Sequence, residues 1–221
     1  MIYGSKYKKK GHSATNLGQI SLQETLNAVR NHKPKFVLFS GGGNDIVGNE
    51  VLGYLNHKRS KPDNLVNKSI FEARLIEMKK AIEFFINAVH RTSKKSNIIM
   101  DGYDYAKING KGYSFLFAKN LAGPWLLPSL AMKGITAKKD QHAIVKYFID
   151  EFNNMLSELD AKYPHFHHLD LRGKFPLDAQ WDNEIHLKNA GYKEVATLYH
   201  DKIVSILHEN PVVKFHSEII V

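Results

Sequence analysis

The chain has 221 residues, no cysteine and a formal net charge of +9. Without cysteine, disulfides, thiolate metal ligands and a cysteine nucleophile are excluded. No run of about eighteen apolar residues occurs, so the sequence predicts no membrane span. The length fits one domain, residues 1–221.

The positive charge is spread in short groups such as Lys8–Lys10 and Lys94–Lys95, and no aromatic-interleaved RNA-binding pattern accompanies it. This distribution favours a solvated lysine-rich surface. A basic nucleic-acid-binding domain is the alternative, and its affinity would fall steeply with salt. Residues 1–11 are basic without an apolar segment, which is not a secretory signal. Cytoplasmic localisation is the expectation, and the alternative is a signal peptide lost together with a missing N-terminus.

The first half of the chain alternates predicted helices and strands. Ser21 to Lys33 is predicted as a helix, with Ser21 as N-cap and Glu24 completing a capping box. Phe36–Phe39 is a short apolar strand that runs into a glycine loop. A long amphipathic helix is predicted within 64–91, and 97–100 is the next buried strand.

The second half repeats this alternation after an irregular stretch. Residues 106–139 are rich in aromatic residues, Gly and Pro, and we interpret them as an insertion beside a site. Helices are then predicted over 140–160 and 188–208, with a strand at 166–171 between them. Residues 212–221 are predicted as an edge strand or a tail.

Strands that alternate with helices predict an α/β fold, a three-layer α/β/α sandwich around a parallel sheet. Open sheets of this kind place their sites at the carboxyl ends of the strands. The sequence Gly41-Gly42-Gly43-Asn44-Asp45 follows the strand 36–39, and His186 directly precedes the last long helix. The glycine run lacks the spacing of either common nucleotide-binding loop.

These residues resemble the SGNH (GDSL-type) hydrolase family. Gly42-Gly43-Asn44-Asp45 matches its third block, His186 its fifth block, and Ser13–Gly18 is similar to the second. An esterase- or lipase-like branch of the family is also similar around four further segments: 102–105, 123–125, 170–173 and 183–186. The resemblance implies a flavodoxin-like parallel sheet and hydrolysis of carboxylic esters.

The same resemblance implies roles for individual residues. His186 would move protons, while the Asn44 side chain and the Gly18 amide would stabilise an oxyanion. Substrate-binding residues at the site are expected to be Gly43, Tyr103 and Trp125, whose aromatic neighbourhood suggests an apolar acyl or aryl group. The expected partner is a small-molecule ester. Neither a cofactor nor a metal is expected.

The family's first block, which carries the nucleophilic serine, is not found. The nearest candidate, Ser5 in Met1–Ser5, lacks the preceding aspartate and lies too close to Gly18. Our interpretation is that the chain begins after the nucleophile. Loss of a central first strand would expose sheet edges, so instability or self-association is expected unless residues 1–10 or 212–221 fill the gap. A non-catalytic SGNH-like binding protein is the alternative function.

The second departure concerns the acid that would support His186. Asn183 occupies the position at which the family usually has aspartate, and Asp182 is one residue away. On an extended segment Asp182 would point the other way. Support from Asn183, from a backbone carbonyl or from a displaced Asp182 therefore stays open, and Asp182 remains a candidate catalytic residue.

Overall fold

The computed structural model describes residues 14–48, 50–115 and 118–209. The interpretations of Ser5 and of residues 212–221 lie outside these ranges. The helices are α1 (Ala14–His32), α2 (Gly43–Val47), α3 (Val51–Tyr54), α4 (Lys68–Thr92), α5 (Leu127–Met132), α6 (Lys138–Lys162) and α7 (Asn189–Glu209). The strands are β1 (Phe36–Phe39), β2 (Asn97–Asp101), β3 (Tyr113–Phe115), β4 (Ala118–Ala122) and β5 (Phe166–Leu169).

The central sheet has three parallel strands in the order β1-β2-β5. Val37 is in register with Ile98, and Ile98 with Phe166. Each crossover contains a long helix, as parallel strands require. Within the described residues β1 is an edge strand, and its Leu38 side chain is 54% exposed.

Alternate residues of β2 face two different helical layers, because successive side chains of a strand point to opposite faces. Ile98 and Met100 pack in the larger core with the apolar faces of α4 and α6. Ile99 lies on the other face, packed with Leu169 and with Ile206 of α7. The predicted three-layer α/β/α arrangement with a parallel sheet is confirmed.

The first helix begins earlier than predicted. Helix α1 starts at Ala14, so Ser21 lies inside it and is not its N-cap. The Thr25 hydroxyl donates to the Ser21 carbonyl 2.8 Å away, a bond within the helix. Residues 14–20 include Ala, Leu, Gln and Ile, and such side chains allow a helix to continue upstream of a potential cap.

The 106–139 stretch has structure of its own. It contains the antiparallel pair β3–β4 and the short helix α5. The long helices α4, α6 and α7 lie close to their predicted positions. None of the helices in the described part of the chain is both long and apolar enough to cross a membrane.

A buried asparagine holds the end of β2 against α6 and β5. Asn153 is fully buried; its Nδ2 donates to the carbonyls of Tyr103 and Ile149, and its Oδ1 lies 3.0 Å from His168 Nε2. Gly102 packs directly on this amide, and a Cβ at position 102 would lie 1.8 Å from Asn153 Oδ1.

We therefore expect Gly102→Ala to lower the free energy of unfolding by about 2–4 kcal/mol, because Asn153 has no room to move away. Denaturant unfolding followed by circular dichroism measures this. Gly53→Ala is the matched control: Gly53 is helical, nothing lies within 4 Å of its added Cβ, and alanine favours the helix. Equal stabilities of the two variants would contradict this packing.

Candidate active site

A cavity of about 350 Å³ lies at the carboxyl ends of the three parallel strands. The segment after β1 contributes Ser40 to Asp45, and Leu171 follows β5. Asp101 at the end of β2 lines the cavity together with Tyr103 and Asp104, which come after it. His186 lines the same cavity. Asn44 and His186, far apart in the sequence, therefore share one cavity at the predicted edge of the sheet.

The glycine run allows the chain to turn tightly at the end of β1. Gly42 has φ +91°, and a Cβ there would lie 2.9 Å from Met78 Cε. Only glycine meets both conditions without strain. Helix α2 begins at Gly43, so Asn44 stands in a first helical turn, where its exposed side chain lines the cavity.

The Gly43 amide already has a partner. Its N–H donates to the Tyr103 hydroxyl at 3.0 Å, which ties the end of β1 to the segment after β2. Burial raises the pKa of Tyr103, so its hydroxyl stays protonated. Both residues line the cavity, and their contact with a substrate stays a prediction.

The His186 ring is oriented by Asn183. The fully buried Asn183 Oδ1 accepts from the backbone N–H groups of Ile185 (3.1 Å) and His186 (3.0 Å), and lies 2.9 Å from His186 Nδ1. Two backbone donors identify this atom as the amide oxygen, which can only accept. Nδ1 therefore carries the proton. Nε2 is left as the acceptor, and it makes no hydrogen bond to a described residue.

Asp182 reaches His186 through Asn183. The exposed Asp182 carboxylate accepts from Asn183 Nδ2 at 3.2 Å, on the far side of the amide from the imidazole. Burial lowers the pKa of His186, and the Asp182 charge acts in the opposite direction. His186 is consequently neutral at pH 7, the state that a general base requires.

Glu184 holds the insertion against the histidine segment. Its fully buried side chain accepts from the backbone N–H groups of Trp125 (2.6 Å), Leu126 (2.7 Å), Leu127 (3.1 Å) and Gly110 (3.2 Å). Three of these donors stand at the start of α5, where a carboxylate also interacts favourably with the helix dipole. Glu184 thereby connects the insertion to the site.

Trp125 packs edge-on against the His186 ring, with centroids 5.3 Å apart. It is not among the residues that line the cavity, whereas Trp181 is. Its predicted contact with substrate stays a prediction, as does that of Gly18 with an oxyanion. Gly18 lies inside α1, where a backbone N–H is normally used by the helix itself.

Two buried carboxyl groups lie beside these residues. Burial raises the pKa of Asp45 to about 6, although the positive charge of Arg74 opposes the shift. Asp101 accepts a hydrogen bond from the Tyr199 hydroxyl at 2.9 Å and interacts with Ser40, while burial raises its pKa. The predictions from sequence had given no role to Asp45, Asp101 or Glu184.

The sequence contained positional evidence for two of these three residues and little for the third. Asp45 belongs to the Gly-Gly-Asn-Asp match itself, and Asp101 ends a predicted strand, so their positions already placed them at the edge of the sheet. Glu184 stands between Asn183 and His186, but the backbone N–H groups that donate to it become apparent only when the insertion is folded.

Comparisons with known proteins give distant likenesses. No protein-family model matches the chain, and no curated protein matches it. A Clostridium thermocellum family 3 carbohydrate esterase is similar at 14% identity and TM-score 0.43 over 86% of this chain. A family 3 carbohydrate esterase from Talaromyces cellulolyticus is similar at 13% identity and TM-score 0.45 over 85%. The matched region spans 66% of each esterase chain, slightly less than two thirds.

An extracellular lipase from Streptomyces rimosus is similar at 13% identity and TM-score 0.36, over 68% of this chain and 54% of the lipase. A likeness at this identity concerns the fold and does not identify a substrate.

We expect Asn183→Asp to raise the pKa of His186 by about one unit or more, because a full negative charge then accepts the Nδ1 proton. Titration of the imidazole Cε1–H signal by NMR measures the shift from a starting value below about 6.5. Asn64→Asp, on the exposed surface, is the matched control and should leave the titration unchanged. An unchanged His186 in Asn183→Asp would show that the amide does not orient the ring.

Glu184→Gln should lower the free energy of unfolding by about 2–3 kcal/mol, since one acceptor oxygen becomes an N–H₂ group that faces backbone donors. Chemical denaturation measures the change. Glu194→Gln, on the exposed side of α7, makes the same chemical substitution and should stay within about 0.5 kcal/mol of the parent. Similar effects for both variants would show that the bonds from the insertion to Glu184 do not stabilise the fold.

Proposed function

We propose that this chain carries the base and the oxyanion-stabilising parts of an SGNH-type hydrolase site for carboxylic esters. The observation that carries the proposal is the Asn183–His186 contact, which leaves Nε2 as a proton acceptor on a cavity shared with Asn44. The sequence resemblance had assigned His186 and Asn44 to these two roles before any geometry was considered.

In the proposed mechanism, His186 Nε2 removes the proton of an attacking hydroxyl. The Asn44 amide, which has no hydrogen-bond partner among the described residues, donates to the oxygen on which negative charge develops. One such donor typically contributes about 3–4 kcal/mol in the transition state. The lowered pKa keeps His186 ready to accept a proton near neutral pH.

Asparagine in place of the usual acid has a defined consequence. An asparagine that can turn its N–H₂ group toward the imidazole selects the wrong tautomer. In this site two backbone N–H groups hold the Asn183 oxygen toward His186, so the productive tautomer is retained. The amide offers less charge stabilisation to the imidazolium than a carboxylate would. We therefore assign His186 to a dyad-like site in which Asp182 has a secondary, indirect effect.

The described residues of the site offer no hydroxyl nucleophile that is free of other interactions. Ser40 is the only serine among the described residues that line the cavity, and its hydroxyl interacts with Asp101 and Tyr103. This engagement favours a second candidate function, a non-catalytic protein that retains the cavity to bind an acyl or glycan ligand. Hydrolysis by a His186-activated water would be slow compared with the covalent route.

We expect the chain to hydrolyse p-nitrophenyl acetate slowly, with a rate that rises as His186 loses its proton and that falls at least about tenfold in His186→Ala. His142→Ala, an exposed histidine on α6, controls for non-specific imidazole catalysis. Asp182→Ala should cost much less than His186→Ala.

The outcomes separate the candidates. Equal rates for the His186 and His142 variants would remove the catalytic role of His186 and leave the binding protein. Rapid turnover that Ser40→Ala abolishes would instead identify Ser40 as a nucleophile. The interactions of its hydroxyl with Asp101 and Tyr103 would then not prevent catalysis.

A further inference from the structure

The described part of the cavity wall is acidic, whereas the protein as a whole is basic. The chain as a whole carries a formal charge of +9. Among the described residues that line the cavity, none is lysine or arginine, whereas three are aspartate: Asp45, Asp101 and Asp104. The neutral state of His186 adds no positive charge to the wall at pH 7. An anionic ligand would therefore meet repulsion in this cavity, and a cation would be attracted.

The three carboxyl groups differ in how far the protein compensates them. Asp104 accepts from the backbone N–H groups of Tyr105, Gly173 and Phe175 at 2.6–2.7 Å. Asp101 interacts with the hydroxyls of Tyr199 and Ser40. Both are thus occupied by groups of the protein itself.

Asp45 differs from the other two aspartates because its carboxyl group accepts no hydrogen bond from a described residue. Only 5% of the residue is exposed, and its carboxyl group makes no hydrogen bond to a described residue. Among the described residues, the charged groups that act on it are Arg74 of α4, which favours ionisation, and Glu50, which opposes it. Neither of these lines the cavity. A buried carboxylate without a hydrogen-bond donor is costly, and a cation bound beside it would reduce that cost.

Aromatic rings complete the lining. Tyr103, Phe175, Trp181 and Tyr192 all contribute to the wall. The face of an aromatic ring attracts cations through its quadrupole, most strongly for tryptophan, and this attraction survives for a quaternary ammonium group that cannot donate hydrogen bonds. Carboxylate and aromatic faces together are the groups that recognise organic cations.

We propose that the cavity binds the cationic group of an organic ligand, of the quaternary ammonium or protonated amine class, beside Asp45. This proposal extends the proposed function. It rests on that function only in the claim that the cation belongs to an ester substrate. Binding of the cation itself requires no catalysis.

The test compares choline with dimethylbutanol, its uncharged carbon isostere, because the two differ in charge and hardly in shape. Titrations of the intact chain, followed by tryptophan fluorescence to which Trp181 and Trp125 both contribute, should give about tenfold tighter binding of choline at about pH 7.5. Choline affinity should fall about tenfold at about pH 5, since protons compete for a carboxyl group with a pKa of about 6.

Asp45→Asn should remove the preference for choline while leaving the affinity for dimethylbutanol unchanged. Asp201→Asn, an exposed carboxylate on α7, is the matched control and should retain the preference. The proposal is overturned by equal binding of the two ligands, by saturable binding of neither, or by a preference that persists in Asp45→Asn.

These results are independent of the ester hydrolysis assay. Choline preference in a chain without esterase activity would retain the cation site and reject the hydrolase proposal. Esterase activity without choline preference would do the reverse.

Discussion

Much of this site depends on one buried side chain, that of Glu184. Backbone N–H groups that are removed from water must find an acceptor, and four of them, from Gly110 and from 125–127, find it in this carboxyl group. The backbone of Glu184 adds bonds to Lys107 and Lys111. An irregular insertion is thereby attached to the segment that carries His186. The insertion cannot shift without leaving several donors unpaired.

The neighbouring Asn183 also accepts hydrogen bonds from backbone N–H groups, but from fewer of them. Its amide oxygen accepts from two backbone N–H groups. These two bonds direct the oxygen, and not the N–H₂ group, toward the imidazole. The tautomer of His186 thus follows from the local backbone and does not require a carboxylate. Consecutive residues, Asn183 and Glu184, therefore perform separate tasks: one orients the ring, and the other fixes the protein wall beside it.

Several parts of this arrangement could be predicted from the sequence. The spacing of apolar residues located α4, α6 and α7, and short apolar runs located the three parallel strands. The start of α1 was wrong, because a capping signal at Ser21 was given more weight than the helix-forming residues before it. The 106–139 stretch was interpreted as a site-flanking insertion, and its hairpin and α5 could not be predicted because it has no regular apolar period.

The sequence by itself determined the α/β alternation and the residue types available at the edge of the sheet, Asn44 after β1 and His186 before α7. Those features depend on local periodicity and on chain order, which a sequence displays directly. Only the tertiary structure showed that the Asn183 amide oxygen faces His186 and that backbone N–H groups of the insertion donate to Glu184. It also showed that three aspartates share one cavity wall. The bonds to Glu184 join residues tens of positions apart, whereas Asn183 and His186 are three positions apart. In both cases the strength of the hydrogen bonds depends on the exclusion of water, which arises only when the chain is packed.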